Sequence, residues 1–326
     1  MLKRILVLFL GLIVVLGLIF AFGPKEPANT IVTFSGESIG EDIDAYLADR
    51  ESAVANLRDG AQKQIVWHDG ARKTKTEWAL VYVHGFSATL EEVRPLPDLV
   101  AGSLGANLHF TRLTGHGADG EAMATASVKD WMNDVAEAIE VGRRIGDKVV
   151  VMSASTGGTL SSLAAAQPEL VKNVKAMVMI SPNFAVQAAG AEILTLPWAR
   201  QVLPLIFGRD RTFEPSNEEH GKWWTTSYPN VALLPMQAAV SAASELPFET
   251  MAPSALFIFH PDDGVVKSSV TAEVAKRWGT FSGAKTTVHE VTDAEDPYKH
   301  VIAGRILSPS NSEPLAKITA DWIKSL

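Results

Sequence analysis

One serine stands where an apolar run ends and two glycines begin. In Val149-Val150-Val151-Met152-Ser153-Ala154-Ser155-Thr156-Gly157-Gly158, the β-branched run reads as a fully buried strand, and Thr159 to Ala166 reads as a helix. A strand that turns sharply into a helix with serine at the bend is a nucleophile elbow. The turn is tight, so the residues two before and two after the serine must be small. Here they are Ser153 and Gly157, giving S-x-S-x-G in place of G-x-S-x-G. The bland alternative is a Gly-rich turn of any α/β protein, with Ser155 a surface hydroxyl. A phosphate loop fits less well, because no Lys-Ser/Thr pair follows the glycines and the G-x-G-x-x-G spacing is missing.

A serine hydroxyl needs a base to take its proton and a carboxylate to orient that base. His300, in Pro297-Tyr298-Lys299-His300-Val301-Ile302, follows a strand at Thr287 to Val291. It is the last member of a Ser, Asp, His chain order that suits an elbow serine. Among the other histidines, His289 and His109 fall inside strands, His68 and His220 fall away from the catalytic edge, and His116 in Gly115-His116-Gly117 reads as a loop-fixing residue. The acid lies in Asp262-Asp263-Gly264-Val265-Val266, just past a strand ending at Phe259. Asp263 is favoured over Asp262 by its spacing to the two valines, although both also read as solvated turn acids. The oxyanion needs fixed donors, which would be the backbone N–H groups of Phe86, after His84-Gly85, and of Thr156. A helix starting near Gly157 points its positive end at the same spot. Neither a metal nor a cofactor is called for: no Asp/His/Glu cluster has ligand spacing. Glu91-Glu92 and Glu218-Glu219 read as solvated faces.

The elements that must hold these groups alternate. Strands are expected at Gln64–His68, Trp78–Val83, Asn107–Leu113, Val149–Met152, Ala176–Ile180 and Ala255–Phe259. Helices are expected around Leu90–Ser103, from Trp131 to Ile145 behind a Ser127-Val128-Lys129-Asp130 capping box, and from Leu315 to Ile323. Asp42 to Leu57 reads as an amphipathic helix laid on the core. Such alternation implies an α/β fold with a mostly parallel central sheet and helices on both faces. Sites in such sheets lie beyond the carboxyl ends of the strands. His84-Gly85-Phe86, Ser155, Asp262-Asp263 and His300 all fall at that edge.

The chain has 326 residues, 47% of them hydrophobic, a net charge of −8 and no cysteine. With no basic block, nucleic acid is an unsuitable partner. Disulfides, thiolate catalysis and Cys-ligated zinc are excluded. Ile5 to Phe22 is an unbroken uncharged, almost wholly apolar run behind Lys3 and Arg4. It is long enough to span a bilayer and, by the positive-inside rule, would send the rest of the chain to the non-cytoplasmic side, periplasmic or extracellular. A cleaved signal peptide ending near Ala21-Phe22-Gly23 is the competing reading, giving a secreted protein. The expected division is therefore 1–23 as anchor or signal segment, 24–62 as linker and amphipathic helix, and 63–326 as the folded domain.

Taken together, these segments resemble the α/β-hydrolase superfamily, and within it the carboxylesterase and monoacylglycerol-lipase branch. The resemblance rests on His84-Gly85-Phe86-Ser87, Gly115-His116-Gly117, the Ser155 elbow, Asp263-Gly264-Val265-Val266 and His300-Val301, and spans about Ile65 to Leu326. Ser153 departs from the usual elbow glycine. The resemblance implies an inserted helical cap at about 183–253, whose Trp198, Trp223 and Trp224 read first as cap core. It also implies a membrane-tethered serine hydrolase acting on a small ester or lipid-like substrate, with an apolar acyl pocket over Ser155. Acyl transfer or amide cleavage by the same triad is the alternative, and a non-catalytic binding protein of the same fold is a third. The sequence leaves the oligomeric state open.

Overall fold

Six strands of the central sheet run parallel because a helical crossover separates each from the next. The computed structural model describes residues 2–326. The strands are β1 (Gln64–Val66), β2 (Thr76–Val83), β3 (Asn107–Phe110), β4 (Gly146–Ala154), β5 (Val174–Ile180), β6 (Asp210–Thr212), β7 (Ser227–Pro229), β8 (Ser254–Phe259) and β9 (Thr286–Glu290). The central sheet has seven strands in the order β1-β3-β2-β4-β5-β8-β9, with only β1 antiparallel to its neighbour. Preceding the first strand are α1 (Leu2–Ala21) and α2 (Ile43–Ser52). The crossovers are α3 (Leu96–Leu104), α4 (Gly120–Met123) with α5 (Val128–Ile145), and α6 (Thr156–Ala165). Then come α7 (Ala199–Phe207), α8 (Glu218–Trp223), α9 (Leu233–Ser244), α10 (Ser268–Arg277) and α11 (Ser312–Lys324).

Alternation along the strands sorts side chains to two cores. Val81, Val83, Val149, Val151, Met177 and Met179 pack with Trp131, Val135 and Ile139 of α5 and Leu160 of α6. Leu80, Tyr82, Val150, Met152, Val178 and Ile180 pack with Leu96 and Val100 of α3 and Leu315 and Ile323 of α11. Both faces are thus covered, which is why the strands read as continuous apolar runs. At the start of α5, Ser127 and Asp130 form the capping box in both directions.

Four elements are shorter than their sequence patterns suggest, the first being β1, which stops at Val66 rather than His68. The expected helix around Leu90–Ser103 begins only at Leu96, because Pro95 bars the preceding residue from helical backbone. The Asp42–Leu57 helix is capped by Asp42 on Ala45 N–H at 2.9 Å but stops at Ser52. Just beyond its end, Asn56 takes a left-handed backbone. The Asn107–Leu113 strand ends at Phe110, and Arg112 leaves the sheet to pair with Glu51 at 2.7 Å. Leu47 of α2 packs with Ile39, Ala79, Val141 and Ile145. Beside it lies a buried ionic network in which the Lys63 ammonium reaches Asp134 at 3.2 Å and contacts Glu137, while Tyr46 donates to Glu137 at 2.7 Å.

Between β5 and β8 the chain leaves the sheet to build a cap. It is not wholly helical: α7, α8 and α9 are joined by a two-stranded antiparallel ribbon of β6 and β7. The helical-looking run Ile193–Ile206 divides at Pro197 into a 3-10 turn, Ala191–Thr195, and α7. Trp223 and Trp224 enter the core shared with Ala61 and Leu90, whereas Trp198 sits half-buried against the foot of α1.

Candidate active site

The elbow is built on β4, flanked by β2 and β5 in the middle of the sheet. Ser155 has φ 48° and ψ −117°, a backbone conformation that costs a non-glycine residue about 1–3 kcal/mol. Hydrogen bonds hold it there. Ser155 N–H donates to the Ile180 carbonyl at 3.0 Å, and the Ser155 carbonyl accepts from Asn183, Gly158 and Thr159 N–H at 3.0, 2.9 and 3.3 Å. Gly157 is required by close approach, since a Cβ there would lie 2.2 Å from the Val83 carbonyl oxygen. Ser153 is fully buried with its hydroxyl turned to the Val178 carbonyl and Met179 sulfur at 3.5 and 3.4 Å, so it clears the turn.

The structure brings together the three side chains singled out from the sequence. His300 Nε2 lies 3.0 Å from Ser155 Oγ, and His300 Nδ1 lies 2.8 Å from Asp263 Oδ2. Asp263 is buried, and its other oxygen accepts Val265 and Val266 N–H at 2.8 and 2.9 Å. Asp262 is exposed. The acid and base loops are tied directly, by Gly264 N–H to the Tyr298 carbonyl at 2.8 Å. A further buried carboxylate, Asp296, shapes the base loop by accepting N–H bonds from Tyr298, His300 and Val301 at 3.2, 3.0 and 2.9 Å. Burial pulls the His300 pKa down, but the Asp263 carboxylate, helped by Glu92 and Asp296, outweighs it and leaves the pKa raised.

Phe86, on the loop after β2, and Thr156, the first residue of α6, flank the serine. Among the described residues neither backbone N–H has an intramolecular acceptor. Gly85 abuts Ser155 so closely that a Cβ on it would lie 3.1 Å from Ser155 Cβ and 2.6 Å from Glu92 Oε1. Glu92 is buried, correcting the expectation that Glu91-Glu92 forms a solvated face. Its Oε2 accepts Gly85 N–H at 2.7 Å and the Tyr82 hydroxyl at 2.9 Å. Burial raises its pKa, against those hydrogen bonds. Glu91 is also largely buried and pairs with Arg305 at 2.8 Å, whereas Glu218 is exposed.

Two histidines brace this loop without reaching the reacting atoms. His84 Nδ1 donates to the Gly85 carbonyl at 2.8 Å and its Nε2 accepts Leu113 N–H at 3.1 Å, which fixes one neutral tautomer. Burial lowers its pKa to about 4, keeping it uncharged. His116, fully buried, packs its ring against His84, Phe86 and Trp131. The cap closes over the same place: Thr225 N–H donates to the Ser87 carbonyl at 2.7 Å, and Tyr228 meets the Phe86 ring edge-on at 5.5 Å. Ser155 is only 8% exposed beneath it. Among the described residues no group of three or more His, Asp or Glu side chains is arranged to hold a metal ion. Two open clefts, of about 510 and 560 Å³, lie around Glu51 and Lys63, and Ser155 lines neither.

Sequence reasoning passed over Glu92 and Asp296. The signal for Asp296 was its position four residues before His300, within reach of that residue's backbone N–H. Glu92 carried no local signal, since its burial is decided by β2 and the Gly85 loop.

Comparisons with known proteins agree with this architecture. The family model described as serine aminopeptidase, S33, matches residues 74–236. A thermostable monoacylglycerol lipase of Bacillus sp. (strain H-257) is 31% identical over 117 residues, 35% of this chain and 46% of that protein. The chain thus matches less than half the length of this curated relative. Among solved structures, one reported for the metagenome-derived lipolytic enzymes LipS and LipT superposes with a TM-score of 0.65 at 17% identity, covering 83% of this chain and 100% of that one. A soluble variant of monoglyceride lipase from Saccharomyces cerevisiae gives 0.61 at 11% identity, over 82% and 92%. The Paleococcus ferrophilus monoacylglycerol lipase gives 0.57 at 15%, over 81% and 98%. At these identities the structural likeness establishes the fold.

Proposed function

The chain belongs to the serine aminopeptidase S33 family of α/β hydrolases, and from that premise we propose that it is a membrane-tethered serine hydrolase of carboxylic esters. One observation carries the reading: a continuous Ser155–His300–Asp263 relay lies beside two backbone N–H groups with no protein acceptor, under an apolar cap. In the acylation step His300 Nε2 takes the Ser155 proton as Oγ attacks the ester carbonyl. The N–H groups of Phe86 and Thr156 hold the resulting oxyanion, aided by the positive end of α6. The intermediate collapses as His300 returns the proton to the leaving alcohol. Water then attacks the acyl-serine by the same relay in reverse. No cofactor takes part in this scheme. Tyr228 and Leu233 of the cap, which pack with Phe86, suit an acyl chain.

Amide cleavage is the second reading, favoured by the family's description as an aminopeptidase. Such an enzyme needs a carboxylate free to hold the substrate's α-ammonium. Glu92, beside Gly85, is engaged instead with Gly85 N–H and the Tyr82 hydroxyl, which favours esters.

The tether is α1, whose stretch Lys3–Ala21 has a mean hydropathy of 2.8 and no buried residue. Lys3 and Arg4 at its start support, by the positive-inside rule, a folded part on the non-cytoplasmic side.

The test is covalent labelling by a fluorophosphonate together with turnover of p-nitrophenyl esters. Wild-type protein is expected to label at Ser155 and to turn over. Ser155→Ala is expected to do neither while unfolding at the same temperature. Unchanged turnover in that variant removes the proposal, and absence of label in the wild type favours a binding protein. Amides and alcohol acceptors in the same screen separate hydrolysis of esters from amide cleavage and acyl transfer.

A further inference from the structure

The apolar helix α1 does not stand apart from the cap. Trp198, at the head of α7, donates its indole N–H to the Ile19 carbonyl at 2.9 Å and its backbone N–H to the Pro24 carbonyl at 2.8 Å. The contact is close enough that a Cβ on Gly23 would lie 1.9 Å from Trp198 Nε1. Two residues on, the Arg200 guanidinium grips the Glu26 carboxylate through Nε at 3.0 Å and Nη2 at 2.7 Å.

From this joint α7 runs from a buried first half to an exposed last turn. Ala199 and Leu203 are buried against Leu234. In that last turn Leu205, Ile206 and Phe207 are 84%, 61% and 57% exposed, and Leu196 and Val202 are exposed nearer the joint. A run of large apolar side chains left in water is costly, and such patches mark an interaction surface. Its position at the foot of a helix of membrane-spanning length says what covers it. Trp is the side chain favoured at a bilayer's interface, with its ring in the apolar boundary and its N–H satisfied. Here it links the two helices at that level.

We propose that α1 and α7 form one membrane-docking unit, in which the cap helix α7 lies in the interface of the same bilayer that α1 crosses. The inference rests on the tethered reading of α1. It places the cap, and the route to Ser155 beneath it, against lipid, so an apolar ester dissolved in the bilayer reaches the site without crossing bulk water.

The chain has no cysteine, so single labels can be placed cleanly. Full-length Leu12→Cys, Leu205→Cys and Phe281→Cys are labelled with an environment-sensitive fluorophore and reconstituted in phosphatidylcholine/phosphatidylglycerol vesicles. Phe281, 81% exposed between α10 and β9, is the aqueous control. The expected result is blue-shifted emission at positions 12 and 205, both quenched by spin-labelled lipid, with position 281 unaffected. Lipid quenching at 12 but aqueous emission at 205 overturns the inference and leaves the tether standing. Aqueous emission at 12 overturns the tether, and the inference with it. A blue shift at 205 without lipid quenching means that a second copy covers the patch, and also overturns it. As a functional arm, the triple variant Leu205→Ser, Ile206→Ser, Phe207→Ser is expected to raise KM at least tenfold for a vesicle-borne long-chain ester. Its kcat/KM for a soluble short-chain ester is expected to stay within twofold of wild type. An equal loss on both substrates, or on neither, contradicts the docking.

Discussion

Asp263→Asn tests whether the acid works by setting the proton on His300. The carboxylate divides its oxygens, one accepting Val265 and Val266 N–H at 2.8 and 2.9 Å, the other facing His300 Nδ1 at 2.8 Å. An asparagine keeps both turn bonds only with its carbonyl on the turn. Its NH2 then faces His300 Nδ1 and donates to it. The imidazole must accept at Nδ1, so its remaining proton sits on Nε2, the atom that has to take the Ser155 proton. The flipped amide would set NH2 against two N–H groups in a buried site, at about 1–3 kcal/mol for each group left unpaired. The equivalent substitution in the trypsin-like triad lowers kcat by about 10,000-fold, with geometry intact. At about 1.4 kcal/mol per decade this is about 5.5 kcal/mol of transition-state stabilisation, and we expect the same order here. The assay is kcat and kcat/KM on p-nitrophenyl butyrate, with thermal unfolding followed by circular dichroism. The pH profile adds a sign. Only neutral His300 accepts a proton, so activity rises as pH climbs through its raised pKa. Removing the Asp263 charge lowers that pKa, so the residual activity of the variant rises at lower pH than wild type. A folded variant that keeps a tenth or more of wild-type kcat refutes the reasoning. Asp262→Asn, at an exposed carboxylate, should stay within twofold of wild type in kcat.

Three other substitutions probe the surroundings. Gly85→Ala would press a Cβ onto Glu92 and Ser155, displacing the Phe86 N–H; kcat is expected to fall about 100- to 1,000-fold, with fluorophosphonate labelling correspondingly slowed. Ser153→Gly restores the common elbow pattern but loses only two long contacts. Turnover should therefore hold within twofold, while urea unfolding shows a loss of about 0.5–1 kcal/mol from added backbone freedom. Lys63→Met leaves Asp134 and Glu137 buried without their cation and should cost about 3–5 kcal/mol in urea unfolding. Its kcat/KM at low temperature should be unchanged, because the network lies away from the serine.

Much of the fold was legible because parallel strands covered on both faces leave continuous apolar runs, and β4 with its serine turn is the plainest of them. The capping box at Ser127 was a local pattern of the same kind, and the chain order of Ser155, Asp263 and His300 was legible only through the family resemblance. What escaped depends on contacts between distant segments. Nothing near Glu92 says that Tyr82 and Gly85 will enclose it, so two adjacent glutamates read as a surface. Nothing near Lys63 announces Asp134 and Glu137. His116, read as a loop-fixing residue, is fully buried against His84, Phe86 and Trp131.

The hydroxyl of Ser155 and the imidazole that touches it are 145 residues apart in the chain. At ribosomal rates of 5–20 residues per second, the base therefore emerges on the order of ten seconds after the serine. In that interval the strained turn on β4 exists without its partner, and β9, which must pair with β8 to carry the base loop into place, has yet to be made. An apolar leading helix, by contrast, is available from the start. Under the tethered reading proposed above, newly made chains would reach the bilayer while still inert, and reactivity would switch on only with the closing strand.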